Sequence, residues 1–233
     1  MAEVSGQVKD SVADGGPGTT GGDPITYRSF GPGAPAPAAD LARLHRALLP
    51  GSPIHDLGPA FVERFYFGVL PEEGLVFGQV AYEGDRAIGF VAVTDDANGF
   101  LGTALRRRWR TLAAVTLRHP PSPRKAWNVL RLFRERESAS GDAAVVDVAE
   151  ILSMGVLPPQ PGQRPSRERR LVARTFVRWA VEHVPDRPVQ ALVDESNLAA
   201  RLMYGELGWD VVGKVQVGWP VPQLVYHTPQ DPS

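Results

Sequence analysis

The chain has 233 residues and is 43% hydrophobic, enough for one good-sized domain with a real core. It has no cysteine, which excludes a disulfide framework, a thiolate nucleophile and a cysteine metal site. Its five histidines (His45, His55, His119, His183 and His227) show no metal-ligand spacing, so no metal is expected. A net charge of only -1 hides an uneven distribution, and arginine outnumbers lysine 22 to 3.

Residues 1–24 are rich in Gly, Ser, Thr and Asp and read as a disordered tail, and 229–233 as a second, short one. The N-terminus lacks the basic-then-apolar pattern of an export signal, and no apolar run is long enough to span a membrane. A cytoplasmic protein with no membrane partner is expected. Residues 25–30 alternate as a first strand. Asp40 can cap a helix reaching about Leu49, which Pro50-Gly51-Ser52-Pro53 breaks. Phe61, Phe65 and Val69 mark a second helix at four-residue spacing. Residues 75–82 and 87–94 form a hairpin around Glu83-Gly84-Asp85-Arg86.

Residues 100–117 and 124–136 read as two basic helices. Between Leu105 and Arg136 there are ten basic residues and one acid, Glu135. The strand 144–156 and the Pro/Gly/Gln loop 158–165 come next. Ser166 can cap a helix to about His183, with Val172, Phe176 and Trp179 on its inner face. A second arginine cluster (Arg164, Arg167, Arg169, Arg170, Arg174 and Arg178) lies on and before it. Such blocks meet phosphates or form solvated helix faces. Residues 189–193 are a strand, Ser196 or Asn197 caps a helix that Gly208 ends, and 210–217 and 224–227 are the last strands. Leu198, Leu202, Met203 and Leu207 predict the packing face of that last helix.

Strands alternating with helices predict an α/β (α+β) fold: a mixed, mostly antiparallel twisted sheet of about seven strands flanked by helices. The run from Asn197 through Ala200 and Tyr204 to Gly208-Trp209 reads Asn-x-x-Ala-x-x-x-Tyr-x-x-x-Gly-aromatic, between a strand before and a strand after. This run resembles the acetyl-coenzyme A-binding core of the GNAT acyltransferase superfamily, and the element order of residues 25–228 is similar to that family's, with a helical insertion at about 100–137. Gly89-Phe90-Val91-Ala92-Val93 is also typical of it. The stretch from Leu44-His45 to Phe65-Tyr66 looks like one subgroup with such an insertion.

The resemblance implies a site. Met154, Gly155 and Val156 fit the strand segment whose backbone amides align the pantetheine arm and polarise the thioester carbonyl; Gly155 eases close backbone approach. Glu150 stands in an apolar strand, where a carboxylate is costly unless paired or functional. It is the candidate general base, with a sheet-edge glutamate paired to an arginine as the rival reading. Asp147, at odd spacing from it, is the weaker candidate. Tyr204 is the candidate acid for the departing thiolate. Asn197 either contacts the cofactor or caps its helix.

The family's phosphate loop, Gln/Arg-x-x-Gly-x-Gly/Ala, aligns with Gln163, Arg164, Pro165, Ser166, Arg167 and Glu168, where Ser166 and Glu168 replace the small residues and Pro165 removes an amide. Arg164, Arg167 and Arg169 can compensate by direct phosphate contact. His55, Asp56 and Tyr66 lie where the family walls its acceptor pocket, with His55 an alternative base. These residues imply an N-acyltransferase moving an acetyl or other acyl group from acyl-CoA to a small-molecule amine, such as an amino sugar or natural-product intermediate. The alternatives are a donor carried on tRNA or a carrier protein, held by the basic segments 105–136 and 164–178, and a non-catalytic ligand-binding protein. Trp109 and Trp127 either stack on bases or pack the basic helices.

Overall fold

The computed structural model describes residues 23–97, 99–118, 122, 124, 127, 148–162, 164–184, 186–215 and 222–229. The expected N-terminal tail up to residue 22, most of the helix 124–136, the start of the strand at 144–147, Asp147, Gln163 and residues 230–233 lie outside the described residues.

Among the described residues seven strands form one sheet in the order β1-β2-β3-β4-β5-β7-β6. They are β1 (Ile25–Phe30), β2 (Phe77–Glu83), β3 (Arg86–Thr94), β4 (Ala149–Val156), β5 (Val189–Asp194), β6 (Asp210–Val215) and β7 (Gln223–His227). Every neighbouring pair is antiparallel except β4 and β5, which run parallel. Among the described residues the helices with defined bounds are α1 (Ala38–Leu48), the short α2 (Leu70–Glu72), α3 (Phe100–Arg118), α4 (Arg167–Glu182) and α5 (Leu198–Glu206). None among the described residues is long and apolar enough to cross a membrane.

Alternation along the strands sends apolar side chains to both sheet faces, so each face carries its own core. Leu41 and Leu44 of α1, Phe65 and Phe67, and Val80, Phe90 and Ala92 of the sheet make one core. Val172, Phe176 and Val177 of α4 with Ile151, Val189, Val193 and Tyr204 make the other. Burial of such side chains stabilises by about 1.5–3 kcal/mol each.

Four local expectations change. The second helix is not α: Phe61–Val69 winds as a π-helix, with the Leu70 N–H reaching back to the Phe65 carbonyl. The wider coil buries Phe61, Val62, Phe65, Tyr66 and Phe67 together, a broader face than four-residue spacing allows. Asp40 does not cap α1; its carboxylate takes hydrogen bonds from Arg43 and the Tyr82 hydroxyl. On α5, Leu198 and Leu202 are 59% and 58% exposed, while Ala200, Met203, Tyr204 and Leu207 pack. That second set also has helical spacing, and the ring of Tyr204 decides which face turns inward. Trp109 and Trp127, expected to pack or stack, are both more than half exposed, and the Arg110 guanidinium lies 5.5 Å from the Trp109 ring centroid.

Candidate active site

The parallel strands β4 and β5 pair only over Ala149–Ile151 and Val189–Ala191. Beyond Ile151 they have no further pairing, so among the described residues the C-terminal half of β4 has a ladder on its β3 side alone. A bulge helps them part. Ser153 pairs with Ala92 and Ile151 with Val93, which leaves Leu152 as an extra residue in β4. Such an insertion bends the strand and increases its twist.

The register fixes which amides face the gap. The Leu157 N–H donates to the Ile88 carbonyl at 2.7 Å. Polar groups alternate sides along an extended strand, so Gly155 also bonds towards β3, while the N–H and C=O of Val156 and Met154 point to the unpaired side. Met154 and Val156 therefore offer amides to the gap, and Gly155 does not. Gly155 serves close packing instead: a Cβ there would stand 3.0 Å from Leu48 Cδ1 and 3.2 Å from Leu48 Cβ, so its lack of a side chain lets α1 sit on the strand.

Glu150 lies one residue before the strands part. It is only 2% exposed, and Oε2 accepts a hydrogen bond from Gln190 Nε2 at 2.6 Å. Its cross-strand partner is Thr94, and it points to the α1 face of the sheet, opposite to Ile151. Tyr204 lies on the other face, in the packed group that also holds Met154 and Val156. Its ring is stacked on Tyr226 at 5.4 Å and leans on Trp209 at 4.8 Å. Burial pushes the phenol pKa well above its ordinary value, so the hydroxyl stays protonated across the physiological range.

The loop after β4 leads into α4. Ser166 caps the helix, its Oγ accepting the Arg169 N–H at 3.1 Å. Arg164 and Arg167 are exposed at this helix start, whereas Arg169, offered by the sequence as a phosphate contact, turns inward. Asn197 is the N-cap of α5: Oδ1 accepts the Ala200 N–H at 3.1 Å. Gly208 closes that helix at φ 78°, the left-handed conformation glycine adopts at no steric cost.

His55 and Asp56 sit on a 3-10 turn, Pro53–Leu57, and Tyr66 on the π-helix, all on the α1 face. His55 Nε2 is 2.8 Å from Nδ1 of His45. One of these two nitrogens carries the proton that joins the rings. His45 is 2% exposed and surrounded by Tyr66, Phe67 and Phe90, and burial, aided by His55, lowers its pKa to about 3. Sequence reasoning passed over His45. The signal was present: Leu41, Leu44, His45 and Leu48 form one i, i+3, i+4, i+7 stripe, placing a histidine on a core face. Among the described residues no cluster of His, Asp or Glu is suited to hold a metal ion.

A seven-stranded mixed sheet, flanked by helices and opening between two central parallel strands, is the fold of the GNAT acetyltransferases, and this chain has that fold. Among solved structures it is similar to a point mutant of agmatine N-acetyltransferase in its apo form (15% identity, 88% of this chain and 98% of that one, TM-score 0.56). It is also similar to Arabidopsis thaliana NAA60 in complex with a bisubstrate analogue (15% identity, 88% and 97%, TM-score 0.51). A third similar structure is aminoglycoside 6'-acetyltransferase type Ii (14% identity, 88% and 99%, TM-score 0.50). No protein-family model matches the sequence, and no curated protein matches it.

Proposed function

We propose that the protein is an N-acyltransferase that moves an acetyl group from acetyl-CoA to the amine of a small molecule. The observation that carries this reading is the β4–β5 gap: two backbone amides face it, with a carboxylate on one sheet face and a protonated phenol on the other. Acyl transfer needs this division. The amine attacks the thioester carbon, a base takes the ammonium proton, amides hold the oxyanion, and an acid meets the departing sulfur.

In this reading the thioester carbonyl lies between the amides of Met154 and Val156. The amine comes from the α1 face, past His55, Asp56 and Tyr66, and Glu150 accepts its proton directly or through water. The N–C bond forms, the C–S bond breaks, and the Tyr204 proton goes to sulfur on the α4 face. Exposed Arg164 and Arg167, with the amides at the start of α4, take the pyrophosphate. The similar structures include enzymes named for agmatine and for aminoglycosides, which supports a small polar amine as acceptor.

Titration calorimetry with acetyl-CoA tests the donor. Binding with a Kd of about 1–100 μM is expected, corresponding to roughly -8 to -5.5 kcal/mol. A folded protein that ignores acetyl-CoA sinks the assignment and turns the search to donors on tRNA or a carrier protein. The exposed Arg106, Arg107, Trp109 and Arg110 of α3 favour that second reading. Tyr204→Phe keeps both ring contacts and removes only the proton donor. It should lower kcat by about 10²-fold with acetyl-CoA binding unchanged, the low end for acid catalysis because a thiolate already leaves readily. An unaltered kcat would reduce Tyr204 to a packing residue.

A further inference from the structure

The loop that joins β4 to α4 has four prolines (Pro158, Pro159, Pro161 and Pro165) and one glycine, Gly162. Glycine-rich phosphate loops reach their shape through conformational freedom. This loop must obtain its shape in another way, and Arg169 supplies one. We propose that Arg169 is the positioning residue that sets the phosphate-binding shape of the loop. The inference rests on the acyl-CoA reading above.

Arg169 stands in the first turn of α4, where an arginine would ordinarily extend into water, yet it is only 6% exposed. Its Nη1 pairs with Glu83 at the end of β2. Its Nη2 donates to the carbonyls of Leu157 and Pro158 at 3.1 and 3.2 Å. Its backbone N–H meets Ser166 Oγ, and its Nε has no partner among the described residues. Burying a guanidinium, with one nitrogen left unsatisfied, is costly and calls for a return elsewhere.

The return is geometric. The two carbonyls Arg169 takes belong to the first residues of the loop. Bound to the guanidinium, their negative ends are engaged beside the start of α4, where N–H groups and the helix dipole would meet a pyrophosphate. Pro158 and Pro159 stiffen the chain where it leaves this anchor. One planar fork reaches a carboxylate and two carbonyls at once, which the compact ammonium of lysine cannot do.

The test compares two donors in the full chain. Acetyl-CoA carries the pyrophosphate, and S-acetylpantetheine has the same reactive arm without it. Arg169→Lys should weaken acetyl-CoA binding about tenfold or more, read by calorimetry, and leave S-acetylpantetheine binding, read by ligand-observed NMR, unchanged. Glu83→Gln keeps the guanidinium and its carbonyl bonds but removes the charged partner; it should show the same pattern at smaller size and serves if Arg169→Lys does not fold. Loss of both donors together in the folded variants would make Arg169 a general prop of the cleft and overturn the proposal. So would undiminished acetyl-CoA binding. Failure of the wild-type protein to bind acetyl-CoA would instead overturn the donor reading itself, and the inference with it.

Discussion

Glu150→Gln should lower the rate of acyl transfer by about 10²–10⁴-fold, or roughly 3–5.5 kcal/mol of transition-state stabilisation, with acetyl-CoA affinity and Tm little changed. The substitution is nearly isosteric at a side chain that is 2% exposed. A glutamine can still accept from Gln190 Nε2, so the contact across β4 and β5 survives while the proton acceptor is lost. Raising the pH supplies neutral amine from solution. The variant should therefore recover part of its rate at alkaline pH, with the acceptor's own ionisation setting the midpoint. Equal kcat in the two proteins, or a large fall in Tm in the variant, would make Glu150 a structural partner of Gln190.

Much of the frame was legible because it depends on local chemistry. Ser166, Asn197 and Gly208 are punctuation that acts within one helical turn, and all three stand where the helices begin or end. The hairpin and the strands follow from alternation. Glu150 was conspicuous as a charge in an apolar run, and the structure buries it.

What escaped depends on long-range register. The gap exists because pairing between β4 and β5 stops at Ile151 and Ala191, and because Leu152 is a bulge; neither can be read from the strand itself. The same register withdraws the Gly155 amide from the gap and assigns that glycine to Leu48. Arg169 looked like any other arginine of its cluster until Glu83, 86 residues earlier in the chain, came into contact with it. On α5 two stripes competed, and one-dimensional spacing could not weigh an exposed Leu198 against an aromatic stack of Tyr204, Tyr226 and Trp209.

The His45–His55 pair gives the protein an acid-sensitive core. Neutral His45 hydrogen-bonds His55 at 2.8 Å inside an aromatic cage, and burial holds its pKa at about 3, against 6.5 in the unfolded chain. His55 is also lowered, first by burial and then by Arg46, although the nearby Pro50 backbone and Asp56 oppose this. Below pH 6.5 the unfolded chain binds protons that the folded one refuses. Stability from His45 is therefore whole above pH 6.5 and drains as pH falls towards 3. Between pH 6.5 and about pH 5, where most carboxylates are still ionised, the loss should be roughly 1.5–2 kcal/mol, or about 3–8 °C in Tm. His45→Gln keeps a hydrogen-bonding amide for His55 Nε2 and cannot titrate. Its Tm should start lower, because the cage is less well filled, and then fall less steeply over the same window. Parallel Tm–pH curves for variant and wild type would mean that His45 is protonated in the folded state and that the cage is open to water.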